Sequence, residues 1–185
     1  MKTIINIFKS LQPIFLISII VLVLAAIFFS YDQYATFKEN KLADSLTGNL
    51  VLKSSCKTIV NEGAKFDLKF TLENKNNVPI KVEQFGIDQN FLGQNQRKFM
   101  DLVSSSPKSI RDGSENQYLL SNFQSVVEVA ASSKKDFTFT MQAATRTKAG
   151  AKPATILVYK GKVMFSLEHG ITAEAPCEIQ IRYSK

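Results

Sequence analysis

Sixteen consecutive residues, Ile14–Phe29, hold a single polar side chain, Ser18, and this run constrains the chain more than any other feature. Extended to Leu11 and Tyr31 it reaches 21 residues. As a helix rising about 1.5 Å per residue it spans roughly 31 Å, the thickness of a bilayer's hydrocarbon core. Lys2 and Lys9 precede the run, and no acidic residue occurs before Asp32. The basic excess predicts a cytoplasmic amino terminus over residues 1–10 and a transmembrane helix over 11–31, with Ile14, Leu16, Ile20, Leu24 and Phe28 in membrane lipid. Everything after it then lies on the extracytoplasmic side of the cell membrane. A cleaved secretory signal shares the basic start and apolar centre. Here the apolar core is at the long end for a signal, and Phe28-Phe29-Ser30-Tyr31 offers no Ala-x-Ala cleavage site. An uncleaved signal-anchor is therefore the expectation, and either route exports the remainder.

Residues 32–48 are polar with scattered aromatics and are expected to continue the helix as a stalk, ending at Thr47-Gly48. From Asn49 the pattern changes period. Phe66, Leu68, Phe70 and Leu72 alternate with Asp67, Lys69 and Thr71, which puts one set on a buried face and the other in water. Asn61-Glu62-Gly63 and Asn74-Lys75-Asn76-Asn77 are turn signals on either side. Val78, Ile80 and Val82 alternate behind Pro79, which suggests an edge or a strand start. Phe99, Leu102 and Val103 are a weaker candidate. Val126, Val127 and Val129 precede a Ser-Ser-Lys-Lys turn, and Phe137, Phe139 and Met141 follow it. Ile156–Tyr159 and Val163–Leu167 read as a hairpin about Lys160-Gly161-Lys162. Cys177, Ile179, Ile181 and Tyr183 form a last strand, opened by Cys177. Ser104–Gln117, rich in Ser with Pro107 and Gly113, reads as a mobile loop. Tyr118–Phe123 reads as a helical turn, since Leu119 and Phe123 are four apart. Many short strands between close turns predict an all-β antiparallel sandwich over residues 49–185.

Gly63-x-x-Phe66-x-Leu68-x-Phe70-x-Leu72-x-Asn74 followed by Val78-Pro79-Ile80-x-Val82 resembles the opening of immunoglobulin-like modules in bacterial and archaeal surface proteins. Val127-x-Val129-Ala130 to Phe137-x-Phe139-x-Met141 is similar to the strand–turn–strand of such modules, including the CARDB and arrestin-like groups. Ala131-Ser132-Ser133 stands where their turn carries Pro-Gly. The resemblance implies an immunoglobulin-like fold and no particular activity.

Few residues here suit chemistry. There is one His, no Trp and two Cys, which excludes most zinc, Cys-cluster and haem motifs by count. Cys56 lies near the first predicted strand and Cys177 at the last. An oxidising location favours a disulfide between them, while two separate buried thiols would suit a cytoplasmic domain. His169, in Glu168-His169-Gly170, reads as a solvated turn residue. No Gly-x-Ser-x-Gly or phosphate-binding glycine pattern is present. Asp112, Ser114 and Asn116 alternate as oxygen side chains, but Gln117 and Phe123 stand where a calcium loop needs Gly and Glu. No catalytic residue, metal ligand or cofactor is therefore expected. The formal charge is +7, yet the 21 basic and 16 acidic residues after the apolar run are interspersed, so nucleic acid is not an expected partner.

These features predict a membrane-anchored, extracytoplasmic binding or assembly module with a protein partner in the cell envelope. The polar stretch carrying Lys108, Arg111, Asp112 and Glu115 is the candidate contact surface, its alternative being an excursion without a role. A pilin-like filament subunit is a second possibility. Ser10 is the only small residue suitably placed for prepilin cleavage, and Phe15 stands where the acid belongs. An envelope enzyme with an unrecognised site is a third.

Overall fold

A computed structural model describes residues 2–94, 96–115 and 117–184. The chain forms two units, Met1–Asp44 and Ser45–Lys185. Helix α1 (Lys2–Thr47) runs without a break through the predicted anchor and stalk. Its stretch from Ile20 holds a window long and apolar enough to cross a bilayer. Ile20, Leu24 and Phe28 are exposed by 50%, 60% and 76%, and Val21, Leu22, Val23, Ile27 and Phe29 are also exposed, so apolar surface faces outward all round. Ile14 and Leu16 belong to α1, but their side chains lie outside the described set. The Ser30 hydroxyl donates to Ala26 O at 2.8 Å, satisfying it within the helix.

The second unit contains β1 (Leu50–Ser55), β2 (Thr58–Asn61), β3 (Lys65–Asn74), β4 (Ile80–Asp88), the single-turn helix α2 (Gln89–Leu92), β5 (Gly93–Gln94), β6 (Arg97–Lys98), β7 (Met100–Ser106), β8 (Ser109–Glu115), β9 (Tyr118–Val129), β10 (Ser133–Ala143), the single-turn helix α3 (Arg146–Ala149), β11 (Ile156–Leu167) and β12 (Thr172–Arg182). One sheet has the order β1-β3-β10-β7 and the other β2-β12-β11-β4-β9-β8, with β5 and β6 a separate ribbon. The pairings are antiparallel except β2 with β12, which is parallel. The first strand is thus divided: β1 pairs with β3 in one sheet, and β2 pairs with the last strand in the other. This is an all-β, immunoglobulin-like sandwich preceded by an apolar helix. Its departure is the excursion between β4 and β9, where β7 edges one sheet and β8 the other.

The core is made by the inward positions that alternation marks. Leu68, Phe70 and Leu72 on β3, Phe137 and Phe139 on β10, Phe85 on β4 and Phe165 on β11 are all buried. Ring centroids are 4.3 Å apart for Phe85–Phe139, 4.6 Å for Phe137–Phe165 and 5.5 Å for Phe70–Phe139. Asn74 continues the inward parity of β3 as a buried polar residue. Its Nδ2 donates to Val78 O at 2.8 Å and to Val129 O and Ala130 O at 3.1 Å each, and its Oδ1 accepts from Asn76 N at 3.0 Å. Asn76 Nδ2 in turn donates to Leu46 O at 3.1 Å. Cys56 and Cys177 form a disulfide with Cα atoms 5.1 Å apart. It sits where the chain leaves β1 for β2, two residues before the parallel ladder begins at Thr58↔Ile179.

Four expectations are corrected. The described residues of Ser104–Gln117, which leave out Asn116, do not form one long loop: they contain the end of β7, a short connection with a cis Ser106–Pro107 bond, and β8 paired with β9. Tyr118–Phe123 is strand, not a helical turn, pairing with β4 from Asp88↔Tyr118 to Gln84↔Asn122. A spacing of four is also an even number, so Leu119 and Phe123 share one face of a strand as readily as of a helix. Lys160-Gly161-Lys162 does not turn. β11 runs straight through it, and Gly161 is small because a Cβ there would lie 2.5 Å from Phe91 Cβ. Cys177 does not open the last strand; it lies in the middle of β12.

Phe70→Asp is expected to abolish cooperative unfolding. Truncating a buried Phe costs about 3–5 kcal/mol and the buried carboxylate adds more, against a total stability on the order of 5–15 kcal/mol. Lys69→Asp, on the exposed parity, is expected to change stability by only about 0.5 kcal/mol in denaturant titration. Equal damage from both would contradict the buried face of β3. The disulfide closes a separation of 121 residues, for which chain entropy gives about 5 kcal/mol. Both thiols should resist alkylation in the unreduced, denatured protein, and reduction should lower the unfolding midpoint.

Candidate functional site

The two sheets do not close on each other along the flank built by the excursion. A cleft of about 480 Å³ opens there. One wall is β7, contributing the unbroken series Met100, Asp101, Leu102, Val103, Ser104 and Ser105. A strand that presents a face lines a cavity with alternate residues, so an unbroken series means that β7 presents its edge. The facing wall is such a face: Ser109 and Arg111 from β8, Leu119 and Ser121 from β9, each pair two apart. Arg111 and Ser121 are cross-strand partners.

Local chemistry holds these walls in place. At one end the Asp88 carboxylate caps α2 by accepting from Asn90 N at 2.9 Å, and buried Phe91 seats that turn over Gly161. Phe99 N then donates to Leu92 O at 2.7 Å and delivers the chain into β7. At the other end Ser105 Oγ lies 2.7 Å from Ser109 Oγ and donates to Pro107 O at 2.8 Å, tying β7 to β8 across the connection. Lys98 is paired with Asp101, whereas Arg111 makes no ion pair with any described side chain. The lining is thus hydroxyl-rich and bears the Arg111 guanidinium, without an ion-pair partner among the described side chains, and it includes Leu92, Leu102 and Leu119 as apolar members. Such a cleft can take a ligand that hydrogen-bonds along its length and carries a negative charge.

Of the expected contact residues, Arg111 reaches the cleft and Lys108 stands exposed in the connection before β8. Asp112 and Glu115 are placed on β8, with side chains outside the described set, as is that of Ser114; Asn116 lies outside the described residues. His169 is an exposed turn residue with φ 61°. Gln89, Leu92, Lys98, Leu119 and Ser121 were not legible as site residues. The signal available for Ser121 was its polarity at an inward position between Leu119 and Phe123; it is 1% exposed.

Two polar clusters lie away from the cleft. On β12 the Glu174 carboxylate accepts from Lys162 Nζ at 2.9 Å and Tyr118 Oη at 3.0 Å, and these bonds lower its pKa. Burial, then the bond to Glu174, raises that of Tyr118. At one end of the sandwich Glu62 accepts from the Ser184 hydroxyl, from Ser184 N at 2.9 Å and from Arg146 N at 2.6 Å. Thr145 makes no side-chain cap bond to α3, and the Glu62 carboxylate supplies one instead. These three bonds, the hydroxyl first, bring Glu62 from 4.5 to about 2.

No protein-family model matches the chain, and no curated protein matches it. Solved structures with partial likeness include a DNA glycosylase of Pseudomonas fluorescens, AlkC, bound to abasic-site DNA (14% identity, TM-score 0.38, covering 78% of this chain and 34% of that one); the periplasmic chaperone SfaE (11%, 0.40, 74% and 57%); and a family 123 glycoside hydrolase from Clostridium perfringens (8%, 0.40, 73% and 27%). The chain spans less than two thirds of each of these proteins. Similarity at this level assigns neither family nor activity.

The Glu62 contacts generate a pH prediction. A carboxyl whose folded pKa lies below its unfolded value adds stability above pH 4.5, and that contribution drains away as pH falls towards about 2. Glu62→Gln should flatten the acid limb of the stability profile over this window. In the unmodified protein, the Arg146 and Ser184 amides should lose exchange protection over the same interval. An identical acid limb in E62Q would overturn the assignment.

Proposed function

We propose that the chain is a single-pass membrane protein, amino terminus cytoplasmic, that presents its sandwich outside the cytoplasm for binding or assembly. The observation that carries this is the helix surface from Ile20 to Phe29, apolar and exposed on all sides, in a chain whose other unit holds a disulfide. A helix apolar all round suits lipid and no aqueous setting. Lys2 and Lys9 orient it with the start inside. A disulfide domain suits the oxidising side. The likeness of Gly63–Val82 and Val127–Met141 to surface-protein modules fits the same placement. The open cleft between β7 and the β8–β9 ribbon supports a role in recognition rather than in spacing alone. No constellation of acid, base and nucleophile is needed for that role.

A filament-subunit reading draws support from the unbroken α1. Amino-terminal sequencing separates the two, since a mature terminus at Leu11 would belong to a processed subunit.

Protease added to intact spheroplasts should remove residues beyond the anchor and leave a short membrane-embedded stub. Cleavage that requires permeabilised cells would reverse the orientation.

A further inference from the structure

We propose that the cleft docks an extended, acidic segment of a partner protein, which adds as a strand to β7 and places a carboxylate on Arg111. The inference rests on the binding-module reading and supplies the chemistry of its partner.

The first support is the free edge. β7 is terminal in its sheet and, among the described residues, pairs with β10 alone. Ala144 N donates to Phe99 O at 2.9 Å, and Met100, Asp101 and Leu102 lie opposite Ala143, Gln142 and Met141. Antiparallel ladders alternate bonded and non-bonded pairs. The bonded pairs here are therefore Phe99–Ala144 and Asp101–Gln142, and the N–H and C=O groups of Met100 and Leu102 point away from β10. Met100 is itself only 1% exposed, so the accessible part of this edge begins at Leu102, which lines the cleft. An extended chain satisfies such groups along its whole length, which a saccharide or a compact ligand does not. The register shift at Thr140/Met141 leaves Val103 as an extra residue, and this bulge pins where an added strand can pair.

The second support is the facing wall. A strand on β7 would direct alternate side chains across the cleft to Ser109, Arg111 and Ser121. Arg111 lacks an ion-pair partner among the described side chains, so a carboxylate is the complementary group. The lining also offers Leu92, Leu102 and Leu119 to an apolar side chain of the added strand.

The test uses the full chain in lipid nanodiscs and a library of synthetic twelve-residue peptides with valine at every second position and varied residues between. Enrichment of Asp or Glu at one fixed position is expected. The best peptide should bind Arg111→Gln at least about tenfold more weakly, with partial rescue by Arg111→Lys. Two N-methylated forms of that peptide probe the backbone without altering the protein. Methylation of one alternating set of amides should abolish binding, and methylation of the other should be tolerated. Equal tolerance of both sets, an acidic preference indifferent to Arg111, or no peptide enriched would each overturn the proposal. So would tighter binding of oligogalacturonate, an anionic saccharide without a peptide backbone. Because the nanodisc measurement does not depend on orientation in the cell, a wrong topology and a wrong ligand fail separately.

Discussion

The sandwich is held by contact between two sheet faces, and the densest part of that contact is aromatic. Phe70, Phe137 and Phe139 come from one sheet, Phe85 and Phe165 from the other, and their rings interleave at centroid distances from 4.3 to 6.5 Å. Rings of this size set the separation of the sheets at their centre. Once that separation is set, the flanks must be closed by something that bridges it. On one side the bridge is covalent. The chain crosses from β1 to β2, and the Cys56–Cys177 bond ties the crossing to β12. On the other side the bridge is a pair of serine hydroxyls between β7 and β8 at one end and the α2 turn at the other. The cleft lies between them.

Polar groups inside the domain follow from the same geometry. Asn74 falls on an inward position where β3 ends, and it meets three carbonyls of chain turning away from the sheets. Tyr159 and Tyr183 bury their rings and bond hydroxyl to hydroxyl at 2.9 Å, and burial raises the pKa of both. Glu62 gathers the chain end and the start of α3. Among the described residues, every fully buried side-chain nitrogen and oxygen has a partner. Asn74 and Asn76 are thus buried where turns present carbonyls and amides, whereas Ser121 is buried within β9 beside the cleft.

An open strand edge is a hazard in a water-exposed domain, because it pairs with any extended chain it meets. Here the edge of β7 is bulged at Val103 and lines the cleft, with Met100 buried at one end and Val103 exposed. A bulge interrupts the regular ladder and so limits the registers in which a further strand can pair.

The sequence alone determined whatever depends on local repetition. The apolar run of α1 was legible because all but one of sixteen consecutive residues are apolar. The buried face of β3 was legible because Phe66, Leu68, Phe70 and Leu72 alternate with polar neighbours over a full strand. The two cysteines, being the only ones, limited any internal disulfide to a single pairing. Only the tertiary structure decided what depends on pairing between distant segments. Ser104–Gln117 is polar on both faces because β7 and β8 are edges, so no alternation marked them as strands. Leu119 and Phe123 fit helix and strand equally until β4 supplied the ladder. Gly161 resembled a turn because the reason for its size, Phe91, lies 70 residues earlier in the chain. The cleft is of this second kind: β7 offers an edge and β8–β9 a face, and which side of a strand remains free is settled by the neighbours it has already found.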